Sequence, residues 1–165
     1  EQDDYMDDAP KKFFRLTVGR EVRLRFAYYV TCKEVIKNAD GSIHSVICTY
    51  DPDSRGGKSA DGRKVKGTIH WVSAKHAVNA RVNLLDRLFL TANPAAEDDF
   101  IPTLNPESRV IVENAKLEPA VEVTGNALAY QFERLGYFIS DTDSSNEQPV
   151  FNRTMTLRDS WAKQK

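Results

Sequence analysis

The chain has 165 residues, 41% of them hydrophobic, and carries a formal net charge of -1 at pH 7. This length suits one domain or two small packed barrels, and the apolar content allows a core that needs no disulfide or metal. No run of 18 apolar residues occurs and the first residues are acidic, so we expect neither a membrane span nor a secretory signal, and we expect a cytoplasmic protein.

The small net charge conceals a division along the chain. Residues 1–10 hold five acids and no base, residues 11–90 hold 16 Lys and Arg against 7 Asp and Glu, and residues 91–165 hold 7 against 12. A basic segment of this kind is typical of a protein that binds a polyanion, although a solvated basic surface has the same composition.

Strand signals dominate the basic segment. Residues 21–37 read as one long strand or two strands with a bend, and residues 43–50 read as the returning arm of a hairpin. Gly41 can take the positive φ that closes the turn at 38–41. The polar stretch 51–62 has no apolar anchor, which predicts an exposed and mobile loop.

Three more elements precede the change of charge sign. We predict a strand over 65–73, an N-capped helical turn over 73–77 and a half-buried strand over 78–84, where apolar residues alternate with polar ones. Residues 91–106 contain three prolines and are predicted to form a connector.

The remainder of the chain also reads as short strands, followed by a short terminal helix over 157–165. The predicted strands cover residues 109–115, 127–133, 137–140 and 150–156. Short strands at this spacing favour barrels or a sandwich over a parallel α/β sheet, so the fold is predicted to be all-β. The predicted divisions are an acidic lead-in, a basic domain, a connector and a final domain, over residues 1–12, 13–90, 91–106 and 107–165.

Arginine and amide side chains recur at the spacing of a strand. In EVRLRF, which starts at Glu21, a strand would place Arg23 and Arg25 on one face, about 7 Å apart. Guanidinium groups pair with base edges, carbonyls and phosphates. In AYQFER, Gln131 and Glu133 would share a face and could address one base of single-stranded RNA, although a plain solvent-exposed strand shows the same spacing.

Catalytic and metal-binding patterns are absent from the sequence. It has no Gly-x-x-x-x-Gly-Lys-Ser/Thr loop, no Gly-x-Gly-x-x-Gly and no Gly-x-Ser-x-Gly motif. His44, His70 and His76 have no carboxylate partner at motif spacing. Cys32 and Cys48 fall on facing arms of the predicted hairpin and are interpreted as two buried thiols rather than zinc ligands. We therefore predict no catalytic residue and no metal site.

Four segments together resemble a known family. GRKVKGTIHWVSAKHA (62–77), QFERLGYF (131–138), FNRTMTLRDSWAK (151–163) and the EVRLRFAY segment are similar to the C-terminal anticodon-binding region of bacterial-type glutaminyl-tRNA synthetase, a class I enzyme. The likeness runs from about Tyr5 to the end of the chain. Three alternatives stay open: the similar region of eukaryotic and archaeal glutamyl-tRNA synthetases, a ribosomal RNA-binding β-barrel, and a β module whose basic face docks an acidic protein.

The resemblance implies a fold and a partner. The family region consists of two packed antiparallel β-barrels with short helices, lying along the anticodon stem-loop of tRNA(Gln). Residues 13–90 would form the barrel distal to the catalytic domain. Residues 91–165 would supply most of the nearer barrel, which a strand upstream of this chain completes, so we expect that barrel to be incomplete here.

The resemblance also implies roles for individual residues. Arg23 and Arg25 would contact the first anticodon base and its phosphate, and Gln131, Glu133 and Arg134 would form the pocket for the middle base. The remaining implied contacts are third-base reading by Arg15, support of the unstacked loop by Arg158, and phosphate binding by Lys12, Lys64 and Lys66.

The whole enzyme of this family joins glutamine to tRNA(Gln) with ATP and Mg²⁺. Its ATP site carries motifs like His-Ile-Gly-His and Lys-Met-Ser-Lys-Ser, and neither occurs in these 165 residues. The resemblance therefore implies a recognition module that is catalytically inert alone and holds no cofactor of its own. Its further partner would be the N-terminal catalytic domain of the same, monomeric polypeptide.

Overall fold

The computed structural model describes residues 2–121 and 128–157, and the chain divides into two compact units, Glu1–Trp71 and Val72–Lys165. Strands account for most of the regular structure of both units, and the described helices are short 3-10 turns. The prediction of a mainly-β fold is therefore confirmed. Within the described residues, no helix is long and apolar enough to cross a membrane.

The first unit contains one four-stranded sheet with the strand order β3-β2-β1-β4. Neighbours β1–β2 and β2–β3 are antiparallel, whereas β1 and β4 are parallel. Its 3-10 turns are Gln2–Asp4 and Pro52–Ser54. Its strands are β1 (Glu21–Leu24), β2 (Tyr29–Lys37), β3 (Ile43–Asp51) and β4 (Thr68–Ile69).

The β2–β3 hairpin confirms the predicted turn. Gly41 has φ 83°, and its N–H donates to the carbonyl of Asn38 at 3.0 Å. Cys32 and Cys48 face each other across the two strands as free thiols. Cys32 is buried and Cys48 is exposed, so the prediction of two buried thiols is wrong for Cys48, which lies where β3 has little cover.

The acidic lead-in packs onto the core of the first unit. Tyr5 forms an isolated parallel bridge with Leu16, and both side chains join the buried cluster around Val22 and Ile69. The Tyr5 hydroxyl donates to Asp7 Oδ1 at 2.8 Å. Burial, and then this hydrogen bond to a carboxylate, raise the pKa of Tyr5 to about 12. The lead-in is thus part of the first unit.

The second unit contains one five-stranded sheet with the strand order β6-β5-β9-β8-β7. The pair β5–β9 is parallel, and the other neighbours are antiparallel. Its 3-10 turns are Pro94–Ala96 and Ile101–Thr103. Its strands are β5 (Val78–Leu85), β6 (Arg109–Leu117), β7 (Ala129–Phe132), β8 (Gly136–Ser140) and β9 (Val150–Thr156).

Aromatic rings fill the core of the second unit. Phe151 is 0% exposed, and the rings of Tyr130 and Phe132 lie 5.6 Å and 5.4 Å from its ring centroid. Phe132 also contacts Phe138 at 4.7 Å. Tyr130 and Phe132 are two residues apart on β7, so they share the face that packs on the core, as the alternation of a strand requires.

The described sheets bear on three predicted features of the fold. The described strands form one sheet in each unit, and each sheet contains one parallel pair beside its antiparallel pairs. Residues 78–85 pair with β6 and β9, so they belong to the second sheet. The two compact units are Glu1–Trp71 and Val72–Lys165, and the predicted domain bounds 13–90 and 107–165 with a connector over 91–106 stay a prediction. The strand predicted over 65–73 is reduced to Thr68–Ile69.

The two predicted helical elements are the turn over 73–77 and the helix over 157–165. The predicted helical turn over 73–77 is a hydrogen-bonded turn, in which the N–H of Ala77 donates to the carbonyl of Ser73 at 2.7 Å. The helix predicted over 157–165 and the residue Arg158 lie outside the described residues, apart from Leu157.

Candidate nucleic-acid interface

Arg23 lies on β1 beside the buried ring of Tyr29. Its guanidinium carbon is 6.0 Å from the centroid of that ring, and its main-chain N–H donates to the carbonyl of Gly67 at 2.8 Å. The Nε atom of Arg23 is buried and finds no hydrogen-bond acceptor among the described residues. The backbone of Arg23 is therefore held in the sheet, and its half-buried side chain lies against that ring.

Arg25 does not share the strand face of Arg23. β1 ends at Leu24, and the N–H of Ala27 donates back to the carbonyl of Leu24 at 3.0 Å, which closes a turn. Phe26 has φ 58° in this turn and is 80% exposed. The alternation predicted through Phe26 is wrong because the chain reverses two residues before the apolar pattern ends.

The turn instead creates an exposed aromatic and cationic surface. The guanidinium carbon of Arg25 lies 4.6 Å from the centroid of the Phe26 ring. Trp71 is 47% exposed, and its indole N–H donates to the carbonyl of Arg25 at 3.0 Å. Flat rings and guanidinium planes of this kind are surfaces on which unpaired bases stack. Phe26 was missed in the sequence because its spacing placed it in the core.

A basic cavity lies elsewhere in the first unit. It has a volume of about 220 Å³, and the ammonium group of Lys66 lies 5.6 Å from the centroid of the Phe14 ring at its wall. Lys11 and Arg20 also line it, and no sequence motif had marked either residue. Glu21 lines the same cavity, so the three cations leave it with a net positive charge, which favours an anion such as a phosphate. Lys12 and Lys64, the other predicted phosphate contacts, are exposed.

Arg15 is engaged by the acidic lead-in. Its Nη1 donates to the carbonyl of Asp3 at 3.0 Å, and its Nε lies 3.3 Å from Asp4 Oδ1. The side chain keeps 39% of its surface exposed. The lead-in therefore binds the guanidinium to which the resemblance gives the third anticodon base.

The loop over 51–62, predicted to be exposed and mobile, is anchored to the sheet. Ser54 is 0% exposed, and its Oγ accepts from the N–H of Tyr29 at 2.8 Å and donates to the carbonyl of Asp51 at 2.6 Å. The guanidinium of Arg63 reaches the carboxylates of Asp51 and Asp61. Buried polar contacts thus anchor a loop that has no apolar anchor. Most of the loop is exposed, as predicted, and its mobility stays a prediction.

The anchor makes the first unit sensitive to acid. The Arg63 hydrogen bond lowers the pKa of Asp51. A hydrogen bond from Ser59, followed by the main-chain N–H and guanidinium of Arg63, lowers the pKa of Asp61 from 3.8 to about 2. Because the folded-state values lie below the unfolded ones, this stabilisation is present above the ordinary carboxyl pKa and is lost as the pH falls.

Lowering the pH from about 5 to about 3 is therefore expected to reduce the stability of the unaltered chain more than that of Arg63→Gln. The variant has already lost the guanidinium that depresses both carboxyl pKa values. Urea unfolding midpoints of both proteins at the two pH values measure the difference. An equal loss in both proteins would show that Arg63 does not set the acid response.

The predicted middle-base residues lie at one end of β7. Gln131 is exposed on the strand, whereas β7 ends at Phe132, so Glu133 and Arg134 belong to the turn before β8. The N–H of Leu135 donates to the carbonyl of Phe132 at 2.9 Å, and Arg134 has φ 70°. The predicted sharing of one strand face is wrong, but the turn still brings the three exposed residues to one end of the hairpin.

Metal chemistry has no evident centre in the ranges 2–121 and 128–157. No group of three or more His, Cys, Asp or Glu side chains there could hold a metal ion. His76 Nδ1 lies 3.1 Å from Ser73 Oγ.

Comparison with known families gives two matches along the chain. Residues 1–51 and residues 68–141 each match a family described as tRNA synthetases class I (E and Q), anti-codon binding domain. The second match begins close to the division between the two structural units.

Curated relatives match almost the whole chain. A glutamine–tRNA ligase of Nitrobacter hamburgensis is 55% identical over 163 residues, which is 99% of this chain and 29% of that protein. Those of Vibrio campbellii and Tolumonas auensis are 52% and 53% identical, over 99% and 96% of this chain and again 29% of each relative. The chain thus spans less than a third of the length of these relatives.

Proposed function

The chain belongs to the anticodon-binding domains of class I (E and Q) tRNA synthetases, and we propose that it recognises the anticodon stem-loop of tRNA(Gln) within a longer glutamine–tRNA ligase. The observation that carries the proposal is identity above 50% with relatives of that name over nearly all of the chain. The sequence resemblance to the glutamine enzyme points the same way.

The first anticodon base, C or U, is assigned to Arg23 and Arg25. Arg23 supports this role because the sheet holds its backbone and its half-buried guanidinium lies beside the Tyr29 ring. The exposed ring of Phe26 beside Arg25 would stack on a base that has left the loop stack. Lys66, with Lys11 and Arg20 around the same cavity, would hold a backbone phosphate.

The other two anticodon bases are assigned as the resemblance implies. Gln131, Glu133 and Arg134, at the exposed end of the β7–β8 hairpin, would read the middle U. Arg15 would read the third base, G, after exchanging its contact with Asp4 for the RNA. Arg158, Lys12 and Lys64 would add contacts to the loop and its phosphates.

The longer protein would join glutamine to tRNA(Gln) and convert ATP to AMP and diphosphate. As the family resemblance implies, ATP and Mg²⁺ would bind in its N-terminal catalytic domain. The role of this chain in that reaction would be to bind and orient the correct tRNA, and by itself it would be inactive.

A titration of RNA hairpins tests the proposed function. The glutamine loop is a stem-loop with anticodon CUG, and the first-base loop is the same hairpin with a different first anticodon base. The chain is expected to bind the glutamine loop more tightly, and its affinity for both should fall as salt rises, because phosphate contacts release counterions.

The same titration separates the alternatives. A hairpin with the glutamate anticodon differs in its third base, so a preference for it would favour the glutamyl-type enzyme. Equal affinity for all three hairpins, or no RNA binding at low salt, would contradict the proposal.

A further inference from the structure

Arg63 gathers three carboxylates from separate parts of the first unit. Its Nε and Nη2 donate to the two oxygens of Glu21 at 2.9 Å each, and its Nη1 donates to Asp61 at 2.7 Å. Nη2 also reaches the carboxylate of Asp51. One guanidinium thus joins the start of β1, the end of β3 and the loop between β3 and β4.

The same guanidinium lies over the ring that supports Arg23. The Tyr29 ring is 3% exposed, and the guanidinium carbons of Arg63 and Arg23 lie 5.2 Å and 6.0 Å from its centroid. In the sheet, Tyr29 pairs with Arg23 on one side and with Asp51 on the other. The guanidinium groups of Arg23 and Arg63 therefore lie near the same buried ring, and Arg63 also binds the carboxylates around it.

The anchored loop also touches the stem of Arg23. The hydroxyl of Tyr29 donates to the carbonyl of Gly57 at 3.3 Å. A Cβ atom added at Gly57 would lie 2.7 Å from Cδ of Arg23, so the loop backbone runs directly against the aliphatic part of that side chain. The loop and the Tyr29 ring thus bound the space in which the Arg23 side chain can turn.

We propose that Arg63 is a positioning residue for reading the first anticodon base: it ties the 52–62 loop to β1 and β3, and the loop and Tyr29 in turn hold the Arg23 guanidinium in one direction. The inference rests on the proposed role of Arg23. A long side chain that is ordered before binding loses less conformational freedom on binding and discriminates better between ligands.

The test compares variants of the full 165-residue chain by the ratio of their affinities for the glutamine loop and the first-base loop. Arg63→Gln is expected to lower this ratio by about fivefold or more, the lower end of what one base contact contributes. Arg55→Gln is the matched control, because it removes the same charge from an exposed position of the same loop. The control should leave the ratio unchanged.

Arg63→Lys is a second variant, included in case Arg63→Gln does not fold. It keeps the positive charge but cannot form the fork with Glu21, so it should fold and still lower the ratio. In an Arg23→Ala background, Arg63→Lys should cause no further loss of the ratio, because the side chain that it positions is gone. A purely structural role would instead weaken binding to both hairpins by the same factor.

The outcomes are distinguishable. If the unaltered chain shows no preference between the two hairpins, the proposed function fails and this inference with it. If the unaltered chain discriminates and both folded Arg63 variants discriminate equally well, the inference alone is overturned. A further loss in the Arg23→Ala background would also overturn it, since Arg63 would then act through another contact.

Discussion

Replacement of Phe151 by alanine is expected to lower the free energy of unfolding of the second unit by about 3–5 kcal/mol. Phe151 is 0% exposed on β9, and β9 lies between β5 and β8 in the sheet. Its ring contacts the rings of Tyr130 and Phe132, so the truncation would leave a cavity in the core. Because β9 is hydrogen-bonded to a strand on either side, the backbone cannot move inward to fill that cavity. Urea unfolding monitored by circular dichroism measures the change.

Met155→Ala is the matched control for that experiment. Met155 lies on the same strand, and its side chain is 64% exposed. Its truncation should change the free energy of unfolding by less than about 0.5 kcal/mol. A similar loss in both variants would show that Phe151 is not the centre of the core.

Replacement of Arg23 by alanine is expected to weaken binding of the glutamine loop about 5- to 150-fold more than binding of the first-base loop, which corresponds to about 1–3 kcal/mol for a base contact. The backbone of Arg23 is held by the sheet, so the loss should reflect the guanidinium and leave the fold intact. Filter binding at one salt concentration measures the affinity of the unaltered chain and of the variant for each hairpin, and the loss of affinity on the two hairpins is then compared.

Arg55→Ala provides the control for charge alone. Arg55 is exposed in the loop after β3. Its replacement should weaken binding of both hairpins by the same small factor. Equal losses on both hairpins with Arg23→Ala would mean that Arg23 touches only a phosphate, and the first base would then be read by another residue.

Local patterns predicted much of the fold. The turn at Gly41, the strand over 150–156 and the inward face of Tyr130 and Phe132 follow from residue types and a period of two, and the structure confirms them. These features depend on neighbours a few residues away, so the sequence contains the required information.

Strand ends were predicted less well. The alternation in EVRLRF continues through Phe26, yet β1 stops at Leu24, because the chain there must reverse to pair β1 with β2. A periodic pattern does not record where the partner strand ends. For the same reason Glu133 falls in the turn after β7 rather than on the strand beside Gln131.

The candidate site shows the same limit. Arginines as candidate RNA contacts could be proposed from their chemistry and spacing. The link between Arg63 and Arg23 could not be predicted from the sequence. It runs through Tyr29 and Gly57, which are 28 residues apart in the chain. Likewise, Lys11, Arg20 and Lys66 meet at one cavity only after β1 and β4 pair in parallel.

The sequence by itself determined the mainly-β character, the division of charge and the family, because composition, local periodicity and residue identity are properties of the chain. Only the tertiary structure decided that residues 78–85 join the second sheet, that the 52–62 loop is anchored, and which side chains surround Arg23. Those outcomes depend on hydrogen bonds and ion pairs between distant residues, and such contacts exist only once the backbone has brought their partners together.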